Sequence, residues 1–178
     1  MTDINIENIV VSTKIAKSLD LDKLADIIPD SKYAPEEAPA LIIQFKKPKT
    51  AVMLFSNGKV FFTGPKNEEE VDEIIKMIQD RLNAIGINTY KKPDVKIENM
   101  VASTDFKKKL DLRLISSKIG NTEYDPKNFP GLIYKTGDPN TIVLLFDSGK
   151  IVCNGIKSEE ILVAIDKMTF QLTSLGML

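Results

Sequence analysis

Histidine is absent from the 178-residue chain and cysteine occurs once, at Cys153, so most side chains used for hydrolytic and metal chemistry are missing. Neither a His-containing zinc site nor a Ser-His-Asp or Cys-His arrangement can be built. A lone cysteine closes no internal disulfide, which fits a reducing compartment. Carboxylates and lysines remain. Glu68, Glu69 and Glu70, like Glu159 and Glu160, stand at the start of runs with helical apolar spacing, where acids offset the helix dipole. No glycine-rich phosphate loop is present. The expectation is a protein that is not an enzyme and uses neither metal nor cofactor. What the residue types offer instead is recognition: amides at Asn8, Asn99 and Asn154, strand lysines, and phenylalanines beside apolar strands.

Those residues recur at one spacing. A shift of 91 positions places Ile6-Glu7-Asn8 on Ile97-Glu98-Asn99, Tyr33-x-Pro35 on Tyr124-x-Pro126, and Leu54-Phe55 on Leu145-Phe146. The same shift places Gly58-Lys59 on Gly149-Lys150, Gly64-x-Lys66 on Gly155-x-Lys157, and Glu68-Glu69 on Glu159-Glu160. An unchanged offset means two copies of one supersecondary unit with almost no insertion. Two units of this length are no solenoid. The reading is one pseudo-symmetric body, residues 1–90 and 91–178, with a linker at about 88–95.

Each copy is expected to run strand, helix, three strands, long helix. Asn5 to Ser12 and Ile97 to Ser103 alternate as strands do. Asp20 caps a helix from Leu21 that stops at Pro29, and Asp111 caps Leu112 to Ile119. Ala40 to Phe45, Thr50 to Phe55 and Val60 to Thr63, with Leu132 to Lys135, Thr141 to Phe146 and Ile151 to Asn154, are read as antiparallel hairpins. Asn67 with Glu70 resembles a capping box ahead of the stripe Val71, Ile74, Ile75, Ile78, Leu82 and Ile85. Ser158 heads the matching stripe from Ile161 to Leu175. The fold class is α+β: two pseudo-symmetric repeats forming a single antiparallel sheet with helices on one face and the other face open.

Alternation assigns residues to the open face. Lys59, Phe61 and Thr63 share it, as do Lys150, Val152 and Asn154, while Asn8 goes with Val10 and Asn99 with Val101. Valine, phenylalanine and asparagine rimmed by lysine are unusual for a wet surface and imply a partner. No apolar run approaches a membrane span, and the opening Met1-Thr2-Asp3 has no signal-peptide pattern, so no membrane is expected.

The ordered set Asn-x-Val, Tyr-x-Pro, Leu-Phe-x-x-Gly-Lys and Thr/Asn-Gly-x-Lys, with Asn128-Phe129-Pro130-Gly131-Leu132-Ile133-Tyr134 and Val143 through Val152, resembles the TATA-box-binding protein family in its short archaeal form. The likeness runs from about Ile4 to Leu175. It implies a curved saddle with helices on the convex side and a general initiation factor that bends A·T-rich double-stranded promoter DNA from the minor groove. The bending mechanism comes with the family and is not read from spacing.

The resemblance assigns base contacts to Asn8, Val10, Phe61, Thr63, Asn99, Val101, Val152 and Asn154. An apolar groove face offers guanine's amino group no acceptor, so a buried G·C pair would cost about 1–3 kcal/mol. Kinking falls to Phe55, Phe129 and Phe146. Ala38 stands where the fourth phenylalanine belongs, which removes about 3 kcal/mol of ring contact by analogy with core truncations and implies a weaker or asymmetric kink. Phosphate contacts fall to Gln44, Lys49, Lys59, Lys135, Asn140 and Lys150. The formal net charge is −1. That sum argues against generic nucleic-acid binding, but the lysines sit on sheet segments and the acids on helices.

The family's contact to transcription factor B maps to Asp125 and Lys127, where a charge is reversed, and RNA polymerase would follow indirectly. The free chain could pair with itself through its apolar face. The implied location is the cytoplasm of an archaeal cell, or the nucleus of a eukaryotic one. Three other readings stay open: a divergent paralogue with altered promoters or partners, a protein-interaction module using the same sheet, and a small-molecule or enzymatic domain.

Overall fold

A computed structural model describes residues 3–178 of the chain; Met1 and Thr2, read above for a targeting signal, lie outside the described residues. Contacts divide the chain into two compact units, Asn8–Glu98 and the chain through Glu7 together with Asn99–Leu178.

The first copy of the sequence repeat supplies β1 (Asn5–Lys14), α1 (Leu21–Ile27), β2 (Lys32–Tyr33), β3 (Ala40–Lys46), β4 (Lys49–Phe55), β5 (Lys59–Thr63) and α2 (Glu68–Ala84). Its strands lie in the order β2-β3-β4-β5-β1, all antiparallel where paired. Leu41, Ile43, Val52, Leu54, Val60 and Phe62 point to one side and are buried with Val71, Ile74, Ile78 and Leu82 of α2. That burial removes roughly 1.5–3 kcal/mol worth of apolar surface per large side chain from water and leaves the alternate residues on the opposite face.

The second copy repeats the plan with β6 (Val95–Asp105), α3 (Leu112–Lys118), β7 (Thr122–Glu123), β8 (Leu132–Lys135), β9 (Ile142–Leu145), β10 (Lys150–Gly155) and α4 (Ser158–Ser174). Its order is β6-β10-β9-β8-β7. Leu132, Tyr134, Val143, Leu145, Ile151 and Cys153 form a core with Ile161, Ile165, Met168 and Leu172 of α4, and Ile4 and Ile6 pack against it.

Local chemistry sets the element ends. Asp20 accepts from the Lys23 amide at 3.2 Å and Asp111 from Leu114 at 3.0 Å, both N-caps as expected. Asn67 accepts from the Glu70 amide at 2.8 Å, while the Glu70 carboxylate accepts from Lys66 rather than from Asn67, a capping box displaced by one residue. The fourth helix differs from expectation. Ser158 is its first helical residue, and the cap position belongs to Lys157, whose side chain makes no capping hydrogen bond and instead reaches Glu160 at 3.0 Å. Gly58 and Gly149, at the β4–β5 and β9–β10 turns, have φ of +80° and +94°. A Cβ would meet the Ala16 carbonyl at 1.9 Å and the Lys108 carbonyl at 2.4 Å, so both turns demand glycine.

The β8–β9 connection also departs from the sequence reading. The strand expected from Thr141 to Phe146 shortens to Ile142–Leu145. Thr141 is drawn out of it because its amide donates to the Asp138 carbonyl and its hydroxyl to the Asp138 carboxylate, at 3.2 and 2.7 Å. The first-copy hairpin turns at Lys47-Pro48 alone, which is why β3 and β4 run longer.

Candidate nucleic-acid interface

Strand register carries the 91-residue offset into space. In the first-copy unit Gln44 pairs with Ala51, Ala51 with Thr63, and Thr63 with Val10. In the second, Lys135 pairs with Ile142, Ile142 with Asn154, and Asn154 with Val101. The next row reads Ile42, Met53, Phe61, Ser12 in one unit and Ile133, Leu144, Val152, Ser103 in the other. These rows belong to the face opposite the helices. Phe61, Thr63, Val10, Val101, Val152 and Asn154 are each half-buried there. Met53 and Ile142 are 37% and 39% exposed, more than a core position would tolerate, and Ala51, Ile42, Ile133 and Leu144 join the same face. Sequence reasoning did not single these out, although the alternation of β4 and β9 carries the signal.

Asn8 and Asn99 are half-buried. Asn8 is already engaged: the Thr63 hydroxyl accepts from its Nδ2 at 2.8 Å and donates to its Oδ1 at 3.0 Å. The counterparts Asn99 and Asn154 carry no such bond. Two further equivalent pairs went unread in the sequence. Ser12 donates to Glu98 at 2.6 Å, and Ser103 donates to Glu7. The Ser12 hydroxyl, then Lys96, holds the Glu98 carboxyl below its ordinary pKa.

The aromatic residues differ between the units. Phe129 and Phe146 stack edge-to-face, with centroids 6.0 Å apart and planes at 64°. Gly131 makes that possible, because a Cβ there would lie 2.8 Å from Phe129 Cε1 and 3.1 Å from Phe146 Cε1. Phe129 is presented by a loop in which its own amide and that of Asn128 donate to the Asp125 carbonyl, both at 3.0 Å. The Asp125 carboxylate accepts from Asn128 Nδ2 at 2.6 Å and from the Lys127 amide at 3.1 Å, so it shapes this loop. Lys127 is exposed. The first copy makes the same turn, with Ala38 and Glu37 donating to the Ala34 carbonyl, but Ala38 brings no ring. Phe55 contacts Phe61 instead, centroids 5.8 Å apart and planes at 73°, and the Lys59 ammonium lies 5.6 Å from the Phe61 ring.

The six polar rim positions are all exposed. Lys135 is ion-paired to Glu123. Asn140 turns toward Asp138, its amide donating at 3.0 Å, and that bond, with the Thr141 hydroxyl, holds the Asp138 carboxyl below its usual range. Gln44, Lys49 and Lys150 are exposed, and the exposed Lys59 holds its ammonium over the Phe61 ring. Among the described residues no cluster could hold a metal, and no helix is long and apolar enough to cross a membrane.

Comparison with known proteins places this arrangement. The family model described as "Transcription factor TFIID (or TATA-binding protein, TBP)" matches residues 3–85 and 94–175. The TATA-box-binding protein of Thermoplasma volcanium is 45% identical over 178 residues, 98% of this chain and 97% of the relative. That of Pyrococcus furiosus is 39% identical, covering 98% of this chain and 92% of its own. The solved Methanococcus jannaschii TBP superposes with a TM-score of 0.88 at 39% identity, covering 97% of this chain and 99% of that one.

Proposed function

The chain belongs to the TATA-binding protein family, and from that membership and its open sheet faces we propose that it is a transcription initiation factor that binds and bends A·T-rich promoter DNA from the minor groove. The observation that carries the reading is the duplicated row: Ala51-Thr63-Val10 in one unit and Ile142-Asn154-Val101 in the other, each beside an asparagine and an aromatic pair. Rows of methyl groups at this density suit the floor of an A·T minor groove, where no guanine amino group protrudes, and the wrong base pair costs about 1–3 kcal/mol per site.

Each face takes one half of the duplex site. Asn8 and Asn99, with Thr63 and Asn154, meet adenine N3 and thymine O2; Val10, Val101, Val152 and Phe61 fill the groove between them. Phe129 and Phe146 pry open a base step, and unstacking costs a few kcal/mol that the larger contact with bent DNA offsets. Lys49, Lys59 and Lys150, then Gln44, Lys135 and Asn140, reach phosphates. The repeats run 1–90 and 91–178 with the join at about 88–95. The loop of Asp125 and Lys127 is the docking point for transcription factor B, which brings RNA polymerase, in the cytoplasm of an archaeal cell. Without DNA the apolar face favours self-association.

Competitive binding of A·T-rich and G·C-rich duplexes at two salt concentrations, with and without factor B, tests the reading. The expected result is strong A·T preference, a steep fall with salt and a gain from factor B. Equal affinity for both duplexes would end it.

A further inference from the structure

The geometry points to Phe61 as a replacement wedge: in the first copy the second aromatic ring of the kinking pair comes from β5 instead of from the loop before β3, so that half-site opens nearer its interior. This rests on the minor-groove reading above and goes beyond it by naming the residue that sets where one kink falls.

Three positions differ in concert between the copies. At the 91-residue offset, Phe129 becomes Ala38, Gly131 becomes Ala40, and Val152 becomes Phe61. The second copy needs glycine at 131 because a Cβ there would press on both Phe129 and Phe146. Ala40 supplies that methyl in the first copy, where its register partner is Phe55. The methyl therefore occupies part of the space that the Phe146 pose requires. Phe55 turns to the other neighbour and meets Phe61 edge-to-face at 5.8 Å. No ring is lost from the first copy; it has changed strands.

The displacement has a direction. Phe129 stands on the β8 side of Phe146, at the start of that outer strand, whereas Phe61 lies on β5, which neighbours β4 on the side away from β3. Adjacent strands are about 4.8 Å apart, which exceeds the base-pair rise of about 3.4 Å. The aromatic pair of the first copy thus sits at least one base step further into the site than that of the second. A half-site with a flexible pyrimidine–purine step at that inner position is favoured, because such steps unstack at lower cost.

The test uses the full chain and an unmodified A·T-rich duplex probed with permanganate, which oxidises the 5,6 double bond of thymines that have lost their stacking and reaches it from the major groove. The wild type is expected to give a signal at an outer step at one end and at a step at least one position further in at the other. Phe129→Ala should abolish the outer signal. Phe61→Val, which installs the residue of the second copy on a solvent-facing strand position, should abolish the inner signal and weaken binding about 10-fold with an unchanged melting temperature. The triple change Ala38→Phe, Ala40→Gly and Phe61→Val should move the inner signal outward and make the two ends alike. Symmetric outer signals in the wild type, or Phe61→Val binding within twofold and keeping its inner signal, would overturn the inference while leaving the minor-groove reading intact. Failure of the wild type to prefer A·T duplex over G·C duplex would overturn both.

Discussion

The two copies share strand order, the aspartate caps of their short helices, turn glycines and a row-for-row register, yet their open faces are not equivalent. The second copy holds its rings at the rim, Phe129 on a loop braced by Asp125 and Phe146 at the end of β9, over a glycine that leaves them room. In the first, the rings lie within the sheet, beside Lys59. The asparagines diverge as well: Asn8 is bonded to Thr63, whereas the counterpart of that threonine is Asn154. Selection for burial on the helix side fixes both backbones, since a one-residue slip would invert every side chain. The open face carries no such constraint from packing, so the two halves can diverge in what they touch without unfolding.

The largest expected break of this comparison is Phe129→Ala against Phe55→Ala. Removing Phe129 strips the rim wedge and should cost about 3 kcal/mol, or roughly 100-fold in affinity for A·T duplex. Removing Phe55 leaves Phe61 in place, and the loss should be nearer 10-fold. Titration of a labelled duplex measures both; equal losses would mean that the two copies kink DNA alike.

The asparagines give the next effect. Asn99→Ala should weaken binding by about 1–1.5 kcal/mol, near 10-fold, because a free amide loses its base contact. Asn8→Ala should cost less, since Asn8 must first give up the two Thr63 bonds to turn toward a base. A larger loss at Asn8 than at Asn99 would show that Thr63 orients the amide rather than competing for it.

Lysines act more weakly and through salt. Lys59→Ala or Lys150→Ala should lower the slope of log affinity against log salt by about 0.9 each. Lys135→Ala should lower it less, because Glu123 already pairs with that ammonium in the free chain. Both partners of that pair are well exposed, 60% and 59%, so its own contribution to stability is small.

Much of this was legible in the sequence because duplication doubles the signal. Alternation in Lys59–Thr63 and Lys150–Asn154 assigned the open face, and Asn67 with Glu70 marked the start of α2. Less could be read where local bonds compete with the strand pattern. Thr141 looks like a strand residue by type, yet Asp138 captures its hydroxyl and amide. The strands Lys32–Tyr33 and Thr122–Glu123 are two residues each, too short for any alternation. The loss of a ring at Ala38 was plain from the offset, but its recovery through Phe61 was not, because which strands adjoin is decided by the fold and not by spacing along the chain. Glu7 with Ser103 and Glu98 with Ser12 were missed for the same reason.

The smallest expected effect on DNA binding lies on the helix side, where the copies also differ. Cys153 occupies the position that Phe62 holds in the first copy, and both are buried. Burial pushes the Cys153 thiol up from 9.0 to about 12. At pH 8 the thiolate fraction is then about 10³-fold below that of an unfolded chain, so alkylation by iodoacetamide should be negligible in the native protein and rapid after unfolding. The sign of the stability effect follows from the raised value. The neutral thiol's contribution is complete below pH 9 and is lost as pH rises toward about 12, because only the unfolded chain releases its proton in that window. Cys153→Ala should flatten this alkaline loss while leaving duplex affinity unchanged, whereas native labelling at a rate near that of the unfolded chain would show that the core around Cys153 opens.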